Sequence, residues 1–179
     1  MKNALRFPLM LTALVALASG LAVHAAAGAP NAAGQAAAAG LLPFKGTLEG
    51  RHISRTPLVP PVVFDRFEAD GQATHLGRFE LVIEATVDFG SRPVTGAGTY
   101  TFAAANGDKL VADHTGSSAL VGPGVVLITE HAVIDPNRST GRFADAEGTF
   151  TVERLADAAT GVGGVTVGTF EGTISLPAG

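Results

Sequence analysis

The sequence predicts an all-β fold, an eight-stranded antiparallel β-barrel preceded by an export signal and a flexible linker. Three observations predict it. From Leu41 onward apolar residues recur with a period of two, turn-forming residues separate the apolar runs, and no segment carries the longer repeat of an amphipathic helix. The composition agrees: 179 residues, 46% hydrophobic and 16% charged, suit one globular domain with additional segments. A formal charge of −4 argues against a basic nucleic-acid binder.

Residues 1–25 read as a signal peptide. Lys2 and Arg6 form a positive n-region, residues 9–21 are almost wholly apolar, and Val23-His24-Ala25 fits a peptidase site, with cleavage after Ala27 as the second choice. An uncleaved anchor is the rival, since the apolar run approaches the roughly 20 residues that span a bilayer. Cleavage removes two of the twelve basic residues, leaving ten against sixteen acidic ones, a mature charge of −6. Such a surface disfavours nucleic acid and anionic lipid. The expected location is therefore periplasmic or secreted, with no membrane contact beyond the signal. Residues 26–40 (AAGAPNAAGQAAAAG) form a low-complexity linker interrupted by Gly and Pro, and 41–179 form the barrel domain. There is no cysteine, so stability rests on a packed core.

The predicted strands are 44–51, 62–69, 78–89, 96–104, 109–117, 125–135, 148–155 and 166–176. The third is the plainest: Phe79, Leu81, Ile83, Ala85, Val87 and Phe89 share one parity, while Arg78, Glu80, Glu84, Thr86 and Asp88 share the other with Val82. Turns are expected at Asp70-Gly71, Ser91-Arg92-Pro93, Asn106-Gly107, Gly122-Pro123-Gly124, Asp135-Pro136-Asn137 and residues 161–164. Asn106-Gly107 is the strongest, because both central residues of a type I′ turn need positive φ. It joins the fourth and fifth strands in a hairpin. Eight strands with short connections suit a barrel or a sandwich. The barrel is preferred because closure removes exposed edges and its interior holds side chains or one small ligand. Glycines such as Gly98 and Gly168 mark bends in the strands, or simply record a Gly-rich composition.

Chemistry is sparse. No GxSxG, HExxH, Walker or GxGxxG motif occurs, so no cofactor is implied. The four mature histidines, His52, His75, His114 and His131, lack metal-ligand spacing, and no metal is expected. In the sixth strand Glu130 interrupts the apolar parity Val126, Ile128, Ala132 and Ile134, while His131 shares the other; either faces inward. With the preceding turn centred near Val121, Ala112 lies opposite Glu130 and His114 opposite Ile128, making Glu130 and His114 diagonal neighbours. A carboxyl in an apolar interior has its pKa raised by desolvation, as acid–base chemistry at neutral pH requires. The alternative is a charge at a strand edge or barrel mouth, in solvent. Arg142 is expected either to bind an anion at the mouth or to pair with a carboxylate such as Glu147 or Glu153, with Phe143 plugging the core. The remaining aromatic residues, including the single Tyr100, read as core. Asn137-Arg138-Ser139 matches a glycosylation sequon that matters only in a eukaryotic secretory pathway.

The segments Ala73-Thr74-His75-Leu76-Gly77-Arg78-Phe79, Ala104-Ala105-Asn106-Gly107-Asp108 and Thr140-Gly141-Arg142-Phe143-Ala144-Asp145-Ala146-Glu147-Gly148 resemble, in that order, small exported bacterial proteins similar to the allene oxide cyclase and dirigent barrels. The resemblance covers residues 44–176 and implies a calycin-like, allene oxide cyclase-like barrel that assembles into a homo-oligomer. Arg138-Ser139-Thr140-Gly141 departs from the Gly-Gly-Thr-Gly of related barrels, and no catalytic residue carries over.

Three functions follow. The first is binding of a small hydrophobic ligand lined by Phe79, Leu81, Ile83 and Phe102. The second is a cyclase, isomerase or stereochemical guide using Glu130, His114 or Arg142. The third is a filled barrel with a structural or assembly role. Binding ranks first, because no reacting constellation is visible.

Overall fold

The computed structural model describes residues 40–177. The expected signal peptide and all but the last residue of the expected linker lie outside the described residues. Eight strands follow in order: β1 (Leu41–Pro57), β2 (Val62–Ala73), β3 (Gly77–Asp88), β4 (Val94–Ala104), β5 (Lys109–Gly122), β6 (Val125–Ile134), β7 (Glu147–Asp157) and β8 (Val165–Ser175). Each pairs antiparallel with the next, and β8 returns to β1, closing the barrel. Closure leaves no strand with an unpaired edge. Among the described residues the only helical piece is a 3₁₀ turn, Gly141–Phe143, between β6 and β7.

The alternation of β3 sets its orientation as expected. Phe79, Leu81, Ile83 and Ala85 are buried, and the opposite parity faces outward. Driving the closure is the burial of apolar surface, worth about 25 cal/mol per Å² removed from water.

The two ends of the barrel differ. At one end the connections β2–β3, β4–β5 and β6–β7 meet, and Leu76, Phe143 and Ala146 fold in as a lid, each nearly inaccessible to solvent. Beneath them Phe44, Phe79, Phe102, Phe150 and Phe170 fill the barrel with edge-to-face contacts, such as Phe44 on Phe150 at 5.2 Å and Phe79 on Phe102 at 5.2 Å. This end is solid. The other end carries the β1–β2, β3–β4, β5–β6 and β7–β8 connections and, among the described residues, no comparable plug.

Two turns differ from expectation. Asp70-Gly71 lies inside β2, where Gly71 pairs with Leu48 on one side and Phe79 on the other. A Cβ at Gly71 would sit 2.6 Å from the Phe79 ring, so this glycine provides interior space and makes no turn. The chain reverses instead at Thr74–His75–Leu76. There the Thr74 hydroxyl accepts the Lys45 N–H at 3.0 Å and donates to the Pro43 carbonyl at 2.9 Å. Asn106-Gly107 does turn the chain, but only Gly107 of that pair has positive φ (87°), and the Gly107 N–H donates to the Ala104 carbonyl. The geometry is a turn followed by a left-handed glycine, the longer hairpin alternative to type I′.

Candidate functional site

Inside the open end lies a cavity of about 200 Å³. Its walls are largely apolar, with Phe67, Ala85, Val87, Val126, Ile128 and Ala156 contributed by β2, β3, β6 and β7. Its floor is charged. Glu130 of β6 and Arg154 of β7 point inward, their residues 4% and 3% exposed, and both line the cavity.

The parity of β6 resolves the choice between Glu130 and His131: Glu130 faces the interior and His131 the exterior. Arg154 binds Glu130 side-on, with Nε donating to Oε2 at 2.9 Å and Nη2 to Oε1 at 3.2 Å. Tyr100 of β4 donates its hydroxyl to the same Oε2 through a short hydrogen bond. The third guanidinium nitrogen, Nη1, reaches Thr166 Oγ1 at 3.4 Å. Arg154 also lies over the Phe67 ring, 4.7 Å from its centroid.

His114 of β5 completes the cluster. Its ring packs on Tyr100 with centroids 4.4 Å apart, and its Nδ1 stands 3.5 Å from Glu130 Oε1. Neither ring nitrogen forms a hydrogen bond among the described residues; the Glu130 carboxylate and the Glu84 backbone approach without completing one. His114 and Glu130 are diagonal neighbours, as expected, but through another register. Glu130 pairs with Gly116 and His114 with Ala132, a shift of four residues in the pairing of β5 with β6. An even shift preserves the face, and a shift of four carries Glu130 from one diagonal of His114 to the other.

Glycine makes room for these polar groups. His114 lies opposite Gly98, Glu130 opposite Gly116 and Arg154 opposite Gly168. A Cβ on Gly116 would fall 2.6 Å from Glu130 Cγ, and one on Gly168 would fall 2.6 Å from Arg154 Cβ. The bulky charged side chains occupy space that their cross-strand partners leave empty.

A second ion pair forms the cavity's side wall. Arg55 Nε and Nη2 donate to the two oxygens of buried Asp65 at 2.7 and 2.6 Å. His52, stacked on the face of Phe67 at 4.6 Å, brings Nε2 to 3.3 Å from Asp65 Oδ1. That nitrogen also lies 3.0 Å from the Ser54 carbonyl.

Charge states follow from burial and pairing. Desolvation pushes the Glu130 carboxyl up, but the Arg154 charge and hydrogen bonds, helped by His114 and Tyr100, outweigh it and hold the pKa below the ordinary carboxylate value. This corrects the expectation of a raised carboxyl, which considered an apolar surrounding without a buried arginine. Desolvation and the neighbouring carboxylate push the Tyr100 phenol well above its ordinary value. Desolvation lowers His114. Arg154 is raised: its burial opposes the charge, and Glu130 more than compensates. At neutral pH the floor is therefore a carboxylate–guanidinium pair flanked by a neutral phenol and a neutral imidazole.

The remaining expected site residues lie elsewhere. Phe79, Leu81, Ile83 and Phe102 do not line the cavity; they are packed in the barrel interior, Phe79 and Phe102 within the aromatic cluster. The lining of β3 comes from Ala85 and Val87, further along the same parity, because the solid end fills the barrel beneath them. Arg142 sits at the closed end, away from the cavity. It donates from Nη2 to the Leu76 carbonyl at 3.1 Å and pairs with a carboxylate, which is Asp108 at 4.0 Å and neither Glu147 nor Glu153. Among the described residues no three His, Asp or Glu side chains gather in a metal-holding arrangement.

Sequence reasoning missed Arg154, Tyr100, Asp65, His52 and Arg55. For Arg154 a signal existed: Phe150, Val152, Arg154 and Ala156 share the inward parity of β7. Comparison with protein-family models, curated proteins and solved structures finds no match, so the reading of this site rests on its own geometry.

Proposed function

We propose that this barrel is a receptor for a small amphipathic molecule, held inside its open end with an apolar body against the walls and a polar group on the Glu130–Arg154 floor. The observation that carries the reading is the cavity of about 200 Å³ lying over a fully packed half-barrel. For scale, an apolar cavity of about 150 Å³ holds benzene. The size suits a single ring or a short branched chain, with longer substituents leaving through the mouth. A filled structural barrel needs neither such a void nor a buried ion pair at its base.

Support for catalysis is weaker. A carboxylate held below its ordinary pKa, and occupied by Arg154 and Tyr100, is a poor proton donor or acceptor at neutral pH. The export pattern of residues 1–25 supports a periplasmic or secreted receptor, and the resemblance to allene oxide cyclase and dirigent barrels accords with an interior binding site and a homo-oligomer.

The test is native mass spectrometry of the protein expressed with its own signal and purified after export. The expected result is an added mass that disappears on denaturation and is absent from Val126→Trp, a variant that fills the cavity mouth and keeps its far-UV circular dichroism. An adduct that survives in Val126→Trp refutes this location. A wild-type protein that carries no adduct, and whose cavity amides ignore every probe described below, is a filled barrel.

A further inference from the structure

The charged groups of the cavity differ in what they have left to offer. A carboxylate presents about four acceptor sites and a guanidinium five donors. Glu130 already accepts Tyr100 and two bonds from Arg154, and Asp65 accepts two from Arg55 with His52 close by. Of the two, Glu130 on the floor is close to saturated. Arg154 uses one hydrogen on each of its three nitrogens, so one N–H on Nη1 and one on Nη2 take part in no hydrogen bond among the described residues. Among the described residues Arg55 likewise forms side-chain hydrogen bonds through Nε and Nη2 alone, both to Asp65. The spare capacity of the floor is donor capacity.

Its charge is nevertheless close to balance and slightly acidic, with two guanidiniums against three carboxylates. Each guanidinium faces a carboxylate at hydrogen-bond distance, and Asp157 adds a further acidic group to the lining. An anion reaching Arg154 meets Glu130 on the same guanidinium and Asp65 on the wall. A cation finds Glu130 and Asp65 already occupied by arginines and Asp157 held by the Thr160 backbone N–H and hydroxyl. A neutral oxygen acceptor takes the free N–H groups and brings no net charge into a largely apolar space, avoiding the cost of burying an unpaired ion.

Resting on the receptor reading, we infer that the ligand is a neutral carbonyl compound, its oxygen accepting from the Arg154 guanidinium and its apolar body lying between Phe67, Ala85 and Ile128. The pocket discriminates by head-group charge and selects for an acceptor, whereas a purely apolar pocket of this size would select by shape alone.

The experiment titrates ¹⁵N-labelled full-length mature protein with four single-ring probes of similar size: acetophenone, ethylbenzene, benzoate and benzylamine. Chemical shifts of the Gly96, Gly116 and Gly164 amides, which lie in the cavity lining, report binding at this site. Acetophenone is expected to bind about tenfold more tightly than ethylbenzene, the same skeleton without the acceptor, as one hydrogen bond to a charged donor implies. It should exceed benzoate and benzylamine by at least as much, and it alone should shift the Arg154 Nε–H. Equal binding of acetophenone and ethylbenzene overturns the carbonyl inference and leaves the receptor standing. Tightest binding of benzoate or benzylamine overturns it in favour of a charged ligand. Failure of all four to move these amides overturns this inference, and together with a native spectrum free of adduct it overturns the receptor reading as well.

Discussion

Arg154→Met is the perturbation that tests the site most directly. Methionine keeps apolar packing against Phe67 while removing the charge that holds Glu130 in the interior. At an effective dielectric of about 20, unit charges about 4 Å apart attract by about 4 kcal/mol. Removing one member of a buried pair typically costs about 3–5 kcal/mol, because the other stays behind unpaired. We expect a loss of that size at pH 7, read from urea unfolding followed by far-UV circular dichroism. The pH dependence gives a second readout. In the parent protein the folded pKa of Glu130 lies below its ordinary value of 4.5, so its contribution to stability is present above that value and is lost as pH falls through the folded pKa. In the variant, desolvation acts without its chief opponent and the folded pKa rises above 4.5. Stability is then fully present below 4.5 and is lost as pH rises, so the deficit against the parent shrinks as the solution is acidified. Arg154→Met with Glu130→Gln should recover most of the loss at pH 7, since neither charge remains. A deficit under about 1 kcal/mol at pH 7, or one that stays constant between pH 4 and 7, would show that the pair is not buried as described.

Other substitutions separate the parts of the site. His114→Leu removes two unpartnered buried nitrogens and a group whose folded pKa lies below 6.5. The unfolded chain binds the His114 proton first, so parent stability should fall as pH drops from about 6.5 towards 5, and the difference between parent and variant unfolding curves should carry that slope; a flat difference refutes the burial of a neutral His114. Gly116→Ala places a Cβ against Glu130 and the Thr129 carbonyl and should destabilise by about 1–3 kcal/mol, whereas Gly96→Ala, whose Cβ meets nothing closer than 3.5 Å, should change thermal unfolding little. Equal effects of these two cavity-lining changes would contradict the packing. Arg142→Ala at the closed end should cost no more than about 1 kcal/mol and leave the native-spectrometry adduct intact, and loss of the adduct would return Arg142 to the binding site.

The division between what was legible and what was not follows from the range of the interactions involved. Strand periodicity is local. Each residue of β3 alternates between interior and solvent whatever its neighbours do, so the run from Phe79 to Ala85 specified its own inward face. That Glu130 and His114 share the inner face was legible for a related reason: an even change of register moves the partners without turning either side chain to the other face. Turn residues were informative at Asn106-Gly107 and misleading at Asp70-Gly71. In the second case the close approach of Thr47 and Phe79, contributed by two other strands, claims the glycine for the barrel interior.

What the tertiary structure alone decided is which part of the interior is empty and which charges meet there. Phe79, Leu81, Ile83, Ala85 and Val87 look equivalent along the strand. Only the arrival of Leu76, Phe143 and the aromatic residues of β1, β4, β7 and β8 fills one end and leaves Ala85 and Val87 facing a cavity. The charge state of Glu130 was decided in the same way. From its own strand it was a carboxyl in apolar surroundings with a raised pKa, and the guanidinium that reverses the shift comes from 24 residues further along the chain. Alternation is written into each strand by the geometry of its own backbone, but desolvation and charge pairing depend on atoms from distant strands, and closure of the barrel brings those atoms together.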